Sequence, residues 1–269
     1  LATLAAALGL TLAVNGAVFA EPGPQAQAAY DRGLAAHRAG DLASAVIEWE
    51  EAAKQGHVAA AWILGNLYDK GAGVPQSDAK AYEYYLQATR GGQPEAAVRL
   101  GQIYLEDNEA IGLKRNYGAA LKAFEVGALA ARGDAQYYLG MMHRRGWATS
   151  LDRTESLRWL ILSSKKRYAP ALAELGRIYM EGEGVETDRA DGWAYFLLAN
   201  RYGNEEQRAE ANAYMERYDG RMKRGEKDDA QPVAGIGGKG VTLERVDLIT
   251  DAAGNGHGLF SSSSERGAG

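Results

Sequence analysis

A Leu-Gly dipeptide returns four times along this chain at nearly constant intervals. The four copies are Leu64-Gly65, Leu100-Gly101, Leu139-Gly140 and Leu175-Gly176. Successive copies are 36, 39 and 36 residues apart. A period of this length is typical of arrays in which small helical units pack on their neighbours. The sequence therefore predicts a repeat architecture rather than one large core.

Each Leu-Gly pair belongs to a wider pattern that predicts a helix. An alanine precedes each leucine by four residues and a ring follows it by four, which places all three on one helical face. These residues are Ala60, Ala96, Ala135 and Ala171, and Tyr68, Tyr104, His143 and Tyr179. Glycine inside a helix costs up to about 1 kcal/mol relative to alanine. We therefore expect the Leu-Gly residues to form a structural seam between repeats, where a neighbouring helix leaves no room for a side chain.

A second helix is predicted after each Leu-Gly helix. Its start is marked by a residue type that caps helices, namely Asp78, Asn116, Asp152 and Asp188. A further helix pair is predicted ahead of these, with Gly33 in the place of the repeated glycine and Asp41 as the cap. The spacing from each cap to the next repeat's glycine is 23 or 24 residues, whereas the spacing from glycine to cap within a repeat varies from 8 to 15. The loop inside each repeat therefore absorbs the variation in length.

That longer internal loop carries a family resemblance. Gly71-Ala72-Gly73-Val74 before Asp78, and Gly182-Glu183-Gly184-Val185 before Asp188, resemble the Sel-one-like repeat (SLR), a relative of the tetratricopeptide repeat. The resemblance extends over roughly residues 26–203. It implies an all-α, right-handed α-solenoid of helix pairs. It also implies an adaptor role, since members of this family assemble complexes that include periplasmic secretion, motility and envelope machinery.

The expected organisation follows from these boundaries. Repeats are predicted at residues 26–57, 58–92, 93–133, 134–168 and 169–203, followed by a polar capping helix at 204–221. From residue 222 to residue 269 the chain is rich in Gly and Ser. Such a composition cannot bury enough apolar surface to fold. We therefore expect a mostly disordered tail.

The first 20 residues carry no charge and end in Ala17-Val18-Phe19-Ala20. This pattern predicts a secretory signal peptide that begins before Leu1, followed by a linker at residues 21–25. The alternative is an uncleaved membrane anchor, which Asn15 and several alanines would make weak. Because the chain has no cysteine, a lipoprotein anchor is excluded. We expect a periplasmic or secreted protein with no stable membrane insertion once the signal is cleaved.

Several function classes are disfavoured by the sequence. A net charge of −5 with interleaved signs argues against nucleic-acid binding. The absence of cysteine excludes thiol catalysis and Cys-ligated metals. Residues 235–240 match the dinucleotide-binding pattern Gly-x-Gly-x-x-Gly, but the sequence predicts neither the strand before them nor the helix after them that this chemistry needs. We predict a protein that is not an enzyme and has no cofactor or metal.

The predicted function is that of an exported scaffold that holds a peptide or helix of another protein in a concave groove. Trp62 lies off the Ala-Leu-ring face of its helix. The equivalent positions in other repeats include Val98 and Ala173. The groove residues predicted from this register are Trp62, Asn66, Gln102, Tyr137, Met141, Arg144 and Arg177. Two alternatives remain open at this point. One is a glycan or peptidoglycan binder that stacks sugars on Trp62, and the other is a hydrolase of the envelope or its regulator.

Overall fold

The computed structural model describes residues 22–223 and 225–230, and this part of the chain is all-α, without strands. Its helices are α1 (Pro24–Arg38), α2 (Leu42–Lys54), α3 (Val58–Lys70), α4 (Asp78–Arg90), α5 (Pro94–Tyr104), α6 (Tyr117–Leu129), α7 (Gly133–Arg145), α8 (Arg153–Lys165), α9 (Ala169–Glu181), α10 (Arg189–Tyr202), α11 (Glu205–Asp219) and α12 (Glu226–Asp229). A 3₁₀ turn, Glu109–Ile111, lies between α5 and α6. The predicted signal peptide and residues 231–269 of the predicted tail lie outside the described residues.

Consecutive helices pack in pairs, and the pairs stack in chain order. The closest partners are α1 with α2, α3 with α4, α5 with α6, α7 with α8, and α9 with α10. The second helix of each pair then contacts the first helix of the next pair. Helix α11 packs on both α9 and α10 and covers the last pair. The predicted α-solenoid with a capping helix is confirmed.

The repeated glycines lie where two helices of the same repeat cross. A Cβ atom added to Gly101 would lie 2.5 Å from the ring of Phe124, and one added to Gly65 would lie 2.6 Å from the ring of Tyr85. The corresponding neighbours are Leu160 for Gly140, Phe196 for Gly176 and Trp49 for Gly33. All five neighbours belong to the second helix of the glycine's own repeat. The expectation of a glycine seam between repeats is therefore wrong: the close approach occurs inside each helix pair.

The repeated leucines connect one repeat with the next. Leu64, Leu100, Leu139 and Leu175 are all buried. Leu64 shares its apolar cluster with Trp49 of the preceding repeat and Ala96 of the following one. Leucine and glycine of one dipeptide thus have different roles. The leucine is buried in the apolar interior, and the glycine sets the spacing within the pair.

Side-chain caps start most of the second helices. The side chains of four predicted caps accept a hydrogen bond from the backbone N–H three residues later, namely Asp41, Asn116, Asp152 and Asp188. The prediction of Asp78 as a cap is wrong, because Ser77 accepts from Lys80 N and Asp78 is the first residue of α4. Both residue types favour the capping position, so the Ser77-Asp78 sequence did not decide between them.

The ordered structure extends beyond the predicted start of the tail. Helix α12 packs against α10, and Lys227 Nζ lies 5.0 Å from the ring centroid of Trp193. Ala230 is buried in the same apolar cluster as Ala199. The prediction of disorder from residue 222 is therefore wrong for residues 225–230. No helix in the described part of the chain has the length and apolar character needed to span a bilayer.

Candidate partner-binding face

The first helices α3, α5 and α7 form a row. Helices α3 and α5 contact each other directly although α4 lies between them in sequence, and Gln102 of α5 donates a hydrogen bond to the hydroxyl of Tyr138 on α7. Side chains from this row make polar contacts across the junctions between repeats. We call this surface the first-helix face and define it by Trp62, Asn66, Asp69, Arg99, Gln102, Tyr137, Tyr138 and Met141.

Trp62 and Asn66 lie together on α3, one helical turn apart. The ring of Trp62 packs at 5.6 Å and 42° against that of Tyr85. Asn66 Nδ2 donates to the carbonyl of Trp62 at 2.8 Å, and the Tyr85 hydroxyl donates to Asp69 Oδ2 at 2.9 Å. Burial raises the pKa of Tyr85 well above its ordinary value, so its hydroxyl remains a donor at neutral pH. The contacts with Tyr85 on the second helix therefore fix the orientation of Trp62 and Asp69.

A chain of hydrogen bonds links three repeats across the middle of the face. Arg99 Nη2 of α5 donates to Asp69 Oδ2 of α3 at 2.6 Å, and Arg99 Nη1 donates to Gln102 Oε1 at 2.7 Å. Gln102 Nε2 in turn donates to the hydroxyl of Tyr138 on α7 at 2.9 Å. The ring of Tyr138 is stacked on Phe124 with centroids 4.5 Å apart. Each side chain is thus oriented by its neighbour.

Tyr137 and Met141 continue the face along α7. The Tyr137 ring meets Tyr138 edge-on at 5.3 Å and Tyr168 at 5.5 Å. Burial raises the pKa of Tyr137 to about 12. Met141 is half-buried one turn further along the helix. Of the sequence-predicted groove set, Asn66 is hydrogen-bonded to Trp62, Gln102 is hydrogen-bonded to Tyr138, and Tyr137 packs on Tyr138. That these residues bind a partner stays a prediction.

Arg144 and Arg177, also predicted for the groove, lie in an internal ion-pair cluster. Arg144 binds Glu174 and pairs with Glu183 at 2.6 Å. Arg177 pairs with the same two glutamates, at 3.3 Å and 2.8 Å, and also with Glu181. Both arginine side chains are less than a fifth exposed. Their donors are therefore engaged within the chain, where they hold the loop of the fifth repeat against the fourth.

The model of one repeat family matches the chain four times. Matches to the Sel1 repeat cover residues 58–93, 94–124, 133–168 and 169–204, slightly more than half of the chain. The chain belongs to the Sel1 repeat family. The family-level resemblance inferred from the Gly-x-Gly-Val loops is confirmed. The helix pair α1–α2 lies ahead of the four matched repeats.

Two curated proteins and one solved structure are similar to this chain. An exopolysaccharide production negative regulator of Rhizobium meliloti (strain 1021) is 26% identical over 219 residues, which cover 72% of this chain and 79% of the relative. The alginate biosynthesis protein AlgK of Azotobacter vinelandii is 27% identical over 115 residues, which cover 43% of this chain and 24% of the relative. The crystal structure of a Sel1 repeat protein from Oxalobacter formigenes is 25% identical with a TM-score of 0.57, covering 70% of this chain and 75% of that one. The family and the regulator-named relative support a regulatory role through protein interaction and point to a non-catalytic repeat protein.

Two positions predicted as groove equivalents of Trp62 face the core instead. Val98 and Ala173 are both buried, and a Cβ atom added to Gly127 of α6 would lie 2.9 Å from Val98. The prediction for these two positions is wrong. Val98 and Ala173 pack inward, whereas Trp62 and Tyr137 at the same register are partly exposed.

The structure reveals a signal that sequence reasoning missed. Asp69 and Arg144 each follow a repeated glycine by four residues, and Arg99 and Glu174 each precede the next repeated glycine by two. Both couples form ion pairs across a junction between Sel1 repeats, Asp69 with Arg99 and Arg144 with Glu174. At the first of these junctions the acidic residue comes earlier in the sequence than the basic one, and at the second junction the order is reversed. Aligning the repeats by their glycines exposes this pattern.

Proposed function

We propose that this protein is an exported, non-catalytic scaffold that binds a partner protein on its first-helix face and regulates an envelope complex. The observation that carries the proposal is the continuous row of oriented side chains from Trp62 to Tyr138, which crosses three repeats. A solenoid presents such a row as one extended surface suited to a peptide or a helix. The groove is expected to be concave on this side.

The composition of the face fits a protein-binding surface. Trp, Tyr and Arg dominate the residues that contribute most to protein association, and Trp62, Arg99, Tyr137 and Tyr138 supply all three types. Their rings and polar atoms are held by internal contacts before any partner arrives. A rigid surface loses little side-chain entropy on binding. The face is therefore suited to specific association.

The names of two relatives suggest which kind of complex is regulated. One is a regulator of exopolysaccharide production and the other a protein of alginate biosynthesis. Both names concern polysaccharides made by bacteria. We extend this to the present chain as a proposal: its partner belongs to machinery that controls or assembles polysaccharide production in the envelope. Export through the segment 1–20 is part of the same proposal.

Glycan binding through Trp62 is the competing function. Stacking on a sugar requires an open ring face, and Tyr85 already packs against Trp62 at 5.6 Å. Asn66 and Gln102, the amides next to it, are hydrogen-bonded within the chain. A Trp fluorescence titration with muropeptides, lost in Trp62→Ala, would support the glycan function instead.

Copurification from native cells tests the proposal. Tagged full-length protein with Trp62→Ala and Gln102→Ala should lose its partner, while a control with Glu83→Ala and Lys122→Ala should retain it. Glu83 and Lys122 are exposed residues on the second helices of the same repeats. The control therefore also changes two side chains, but away from the first helices. Circular dichroism should show both variants folded. Equal recovery of the partner by both variants would refute the face, and a protein confined to the cytoplasmic fraction would refute export.

A further inference from the structure

A stack of four side chains bridges the internal loops of the third and fourth repeats. The rings of Tyr117 and Trp147 are parallel, with centroids 4.7 Å apart and planes at 10°. The guanidinium carbon of Arg145 lies 4.5 Å from the Trp147 ring centroid, and that of Arg115 lies 5.4 Å from the Tyr117 centroid. We call these four residues the loop stack. Tyr117 is the first residue of α6, Arg145 is the last residue of α7, and Trp147 lies in the loop that follows α7.

The two arginines of the loop stack make no side-chain ion pair in the described part of the chain, although the Asp107 carboxylate accepts a hydrogen bond from the backbone N–H of Arg115 at 2.9 Å. Within residues 22–223 and 225–230, no carboxylate lies within ion-pair distance of either Arg115 or Arg145. Arg144, the neighbour of Arg145, is by contrast bound by Glu174 and Glu183. Both stack arginines are exposed. A guanidinium packed on a ring keeps its N–H donors in the plane, where they can bind a carboxylate from outside.

Comparison with the equivalent loops shows that this one is unusual. Trp147 occupies the middle of a Gly146-Trp147-Ala148 turn, where the fifth repeat has Glu183 between two glycines. Ala148 has φ +57°, and its counterpart Gly184 has φ +79°. A residue with a Cβ is uncommon in that region, although Ala131 and Arg167 adopt it as well. The fourth repeat thus has a tryptophan in this turn, and its ring is partly buried against the apolar cluster of Phe124 and Leu139.

An apolar side chain completes the surface. Leu151, at the end of the same loop, is 58% exposed, and it is one of three large hydrophobic side chains in the described residues that are more than half exposed. A Cβ atom added to Gly146 would lie 3.5 Å from Leu151, so the leucine adjoins the turn that carries Trp147. Cations, stacked rings and an exposed leucine are thus gathered within one loop region.

We propose that the loop stack is a second docking surface, which binds an acidic segment of the partner protein with an apolar residue between its carboxylates. This proposal rests on the proposed function, since it requires a protein partner. The carboxylates would bind Arg115 and Arg145, and the apolar residue would contact Leu151. Charge complementarity selects an acidic segment, because neither guanidinium is paired with a carboxylate side chain in the described residues, whereas the net charge of −5 repels such a segment from the rest of the chain. A sugar polymer fits less well, because Tyr117 and Arg145 already pack on the ring of Trp147.

Fluorescence anisotropy with the full-length protein tests this surface. The probe is a fluorescein-labelled peptide of alternating Glu and Leu, and its control peptide carries Gln in place of every Glu. The acidic peptide should bind at least tenfold more tightly than the Gln peptide. Arg115→Gln combined with Arg145→Gln should weaken the binding at least tenfold. Arg38→Gln combined with Arg90→Gln is the matched control, since it removes the same charge from two exposed arginines elsewhere and should leave binding unchanged.

Further outcomes separate this proposal from the first. Leu151→Gln, at an exposed position that leaves the fold intact, should weaken binding of the acidic peptide severalfold. Equal affinity of the loop-stack variant and its matched control would overturn the proposal, and so would binding of polygalacturonate in preference to the peptide. If the acidic peptide fails to bind while Trp62→Ala with Gln102→Ala abolishes copurification, the loop stack is not a docking surface and the proposed function stands. If copurification also proves independent of Trp62 and Gln102, both proposals fail.

Discussion

Gly101→Ala probes the helix crossing that defines each repeat. The added Cβ atom would lie 2.5 Å from one ring carbon of Phe124 and 2.8 Å from two others, so the ring or the helix must shift. Overpacking of this kind costs about 1–3 kcal/mol, and the higher helix propensity of alanine returns up to about 1 kcal/mol. We therefore expect a net loss of about 1–2 kcal/mol in the free energy of unfolding. Urea denaturation followed by circular dichroism at 222 nm measures it.

Gly118 provides the matched control, because it is a helical glycine with space around it. A Cβ atom there would have its nearest neighbour at 3.5 Å, the Asn116 side chain. Gly118→Ala should therefore leave stability unchanged or raise it by up to about 1 kcal/mol. Adding Phe124→Leu to Gly101→Ala should recover part of the loss, since the shared contact couples the two sites. If Gly101→Ala is as stable as Gly118→Ala, the crossing does not depend on the glycine and our account of the repeat is wrong.

Three further predictions concern the junctions and caps. Asp69→Arg should lower the free energy of unfolding by about 1 kcal/mol at low salt. The double variant Asp69→Arg with Arg99→Asp should restore most of that loss. If it restores none, the ion pair does not connect the repeats. In urea titrations, Ser77→Ala should lower the free energy of unfolding by about 1 kcal/mol, and Asp78→Ala should lower it by less. A larger loss in Asp78→Ala would show that Asp78 is the cap. Burial lowers the pKa of His57, so the unfolded chain takes up its proton first as the pH falls, and stability should drop from about pH 7 downward. His57→Asn, which keeps a cap acceptor, should flatten the melting temperature between pH 7 and pH 5; an unchanged pH profile would contradict the role of His57.

The reason for the His57 effect lies at the junction of the first two repeats. His57 Nδ1 accepts a hydrogen bond from Ala60 N at 3.2 Å, and its ring stacks on Tyr30 at 4.1 Å. Its Nε2 lies 3.3 Å from Gln27 Oε1, and Asp31 is the charged group that acts on it. Protonation would remove the acceptor and place a cation at a helix N-terminus, where the macrodipole disfavours it. The neutral form is therefore the one that caps α3.

Helix pairing could be predicted from the sequence because it depends on local patterns. The interval between Leu64 and Leu100, and caps such as Asp152, are properties of segments a few residues long. The position of the glycine crossing could not be predicted in the same way. Helical periodicity shows that Gly65 lies on a packed face, but the identity of the opposing helix depends on Tyr85, 20 residues later. That pairing became visible only in three dimensions.

The candidate site could be predicted only in part, for a related physical reason. Trp62 and Gln102 could be proposed as site residues because their positions relative to the repeated glycines place them in a common helical register. Arg144 and Arg177 share it too, but Glu183 binds both, and a loop's approach to a preceding repeat cannot be inferred from periodicity. The loop stack depends on residues 30 positions apart, Tyr117 and Trp147. Contacts over such distances are set by how repeats stack, which single-helix patterns do not describe.

Photocrosslinking in the native cell tests the central claim most directly. A benzoylphenylalanine placed at Asn66 or Gln102 reports on the first-helix face, and one placed at Glu83 or Lys122 reports on exposed second-helix positions of the same repeats. We predict one shared protein adduct from both first-helix positions and none from the other two. Adducts formed only from Glu83 and Lys122 would contradict the claim that this protein binds its partner through its first helices.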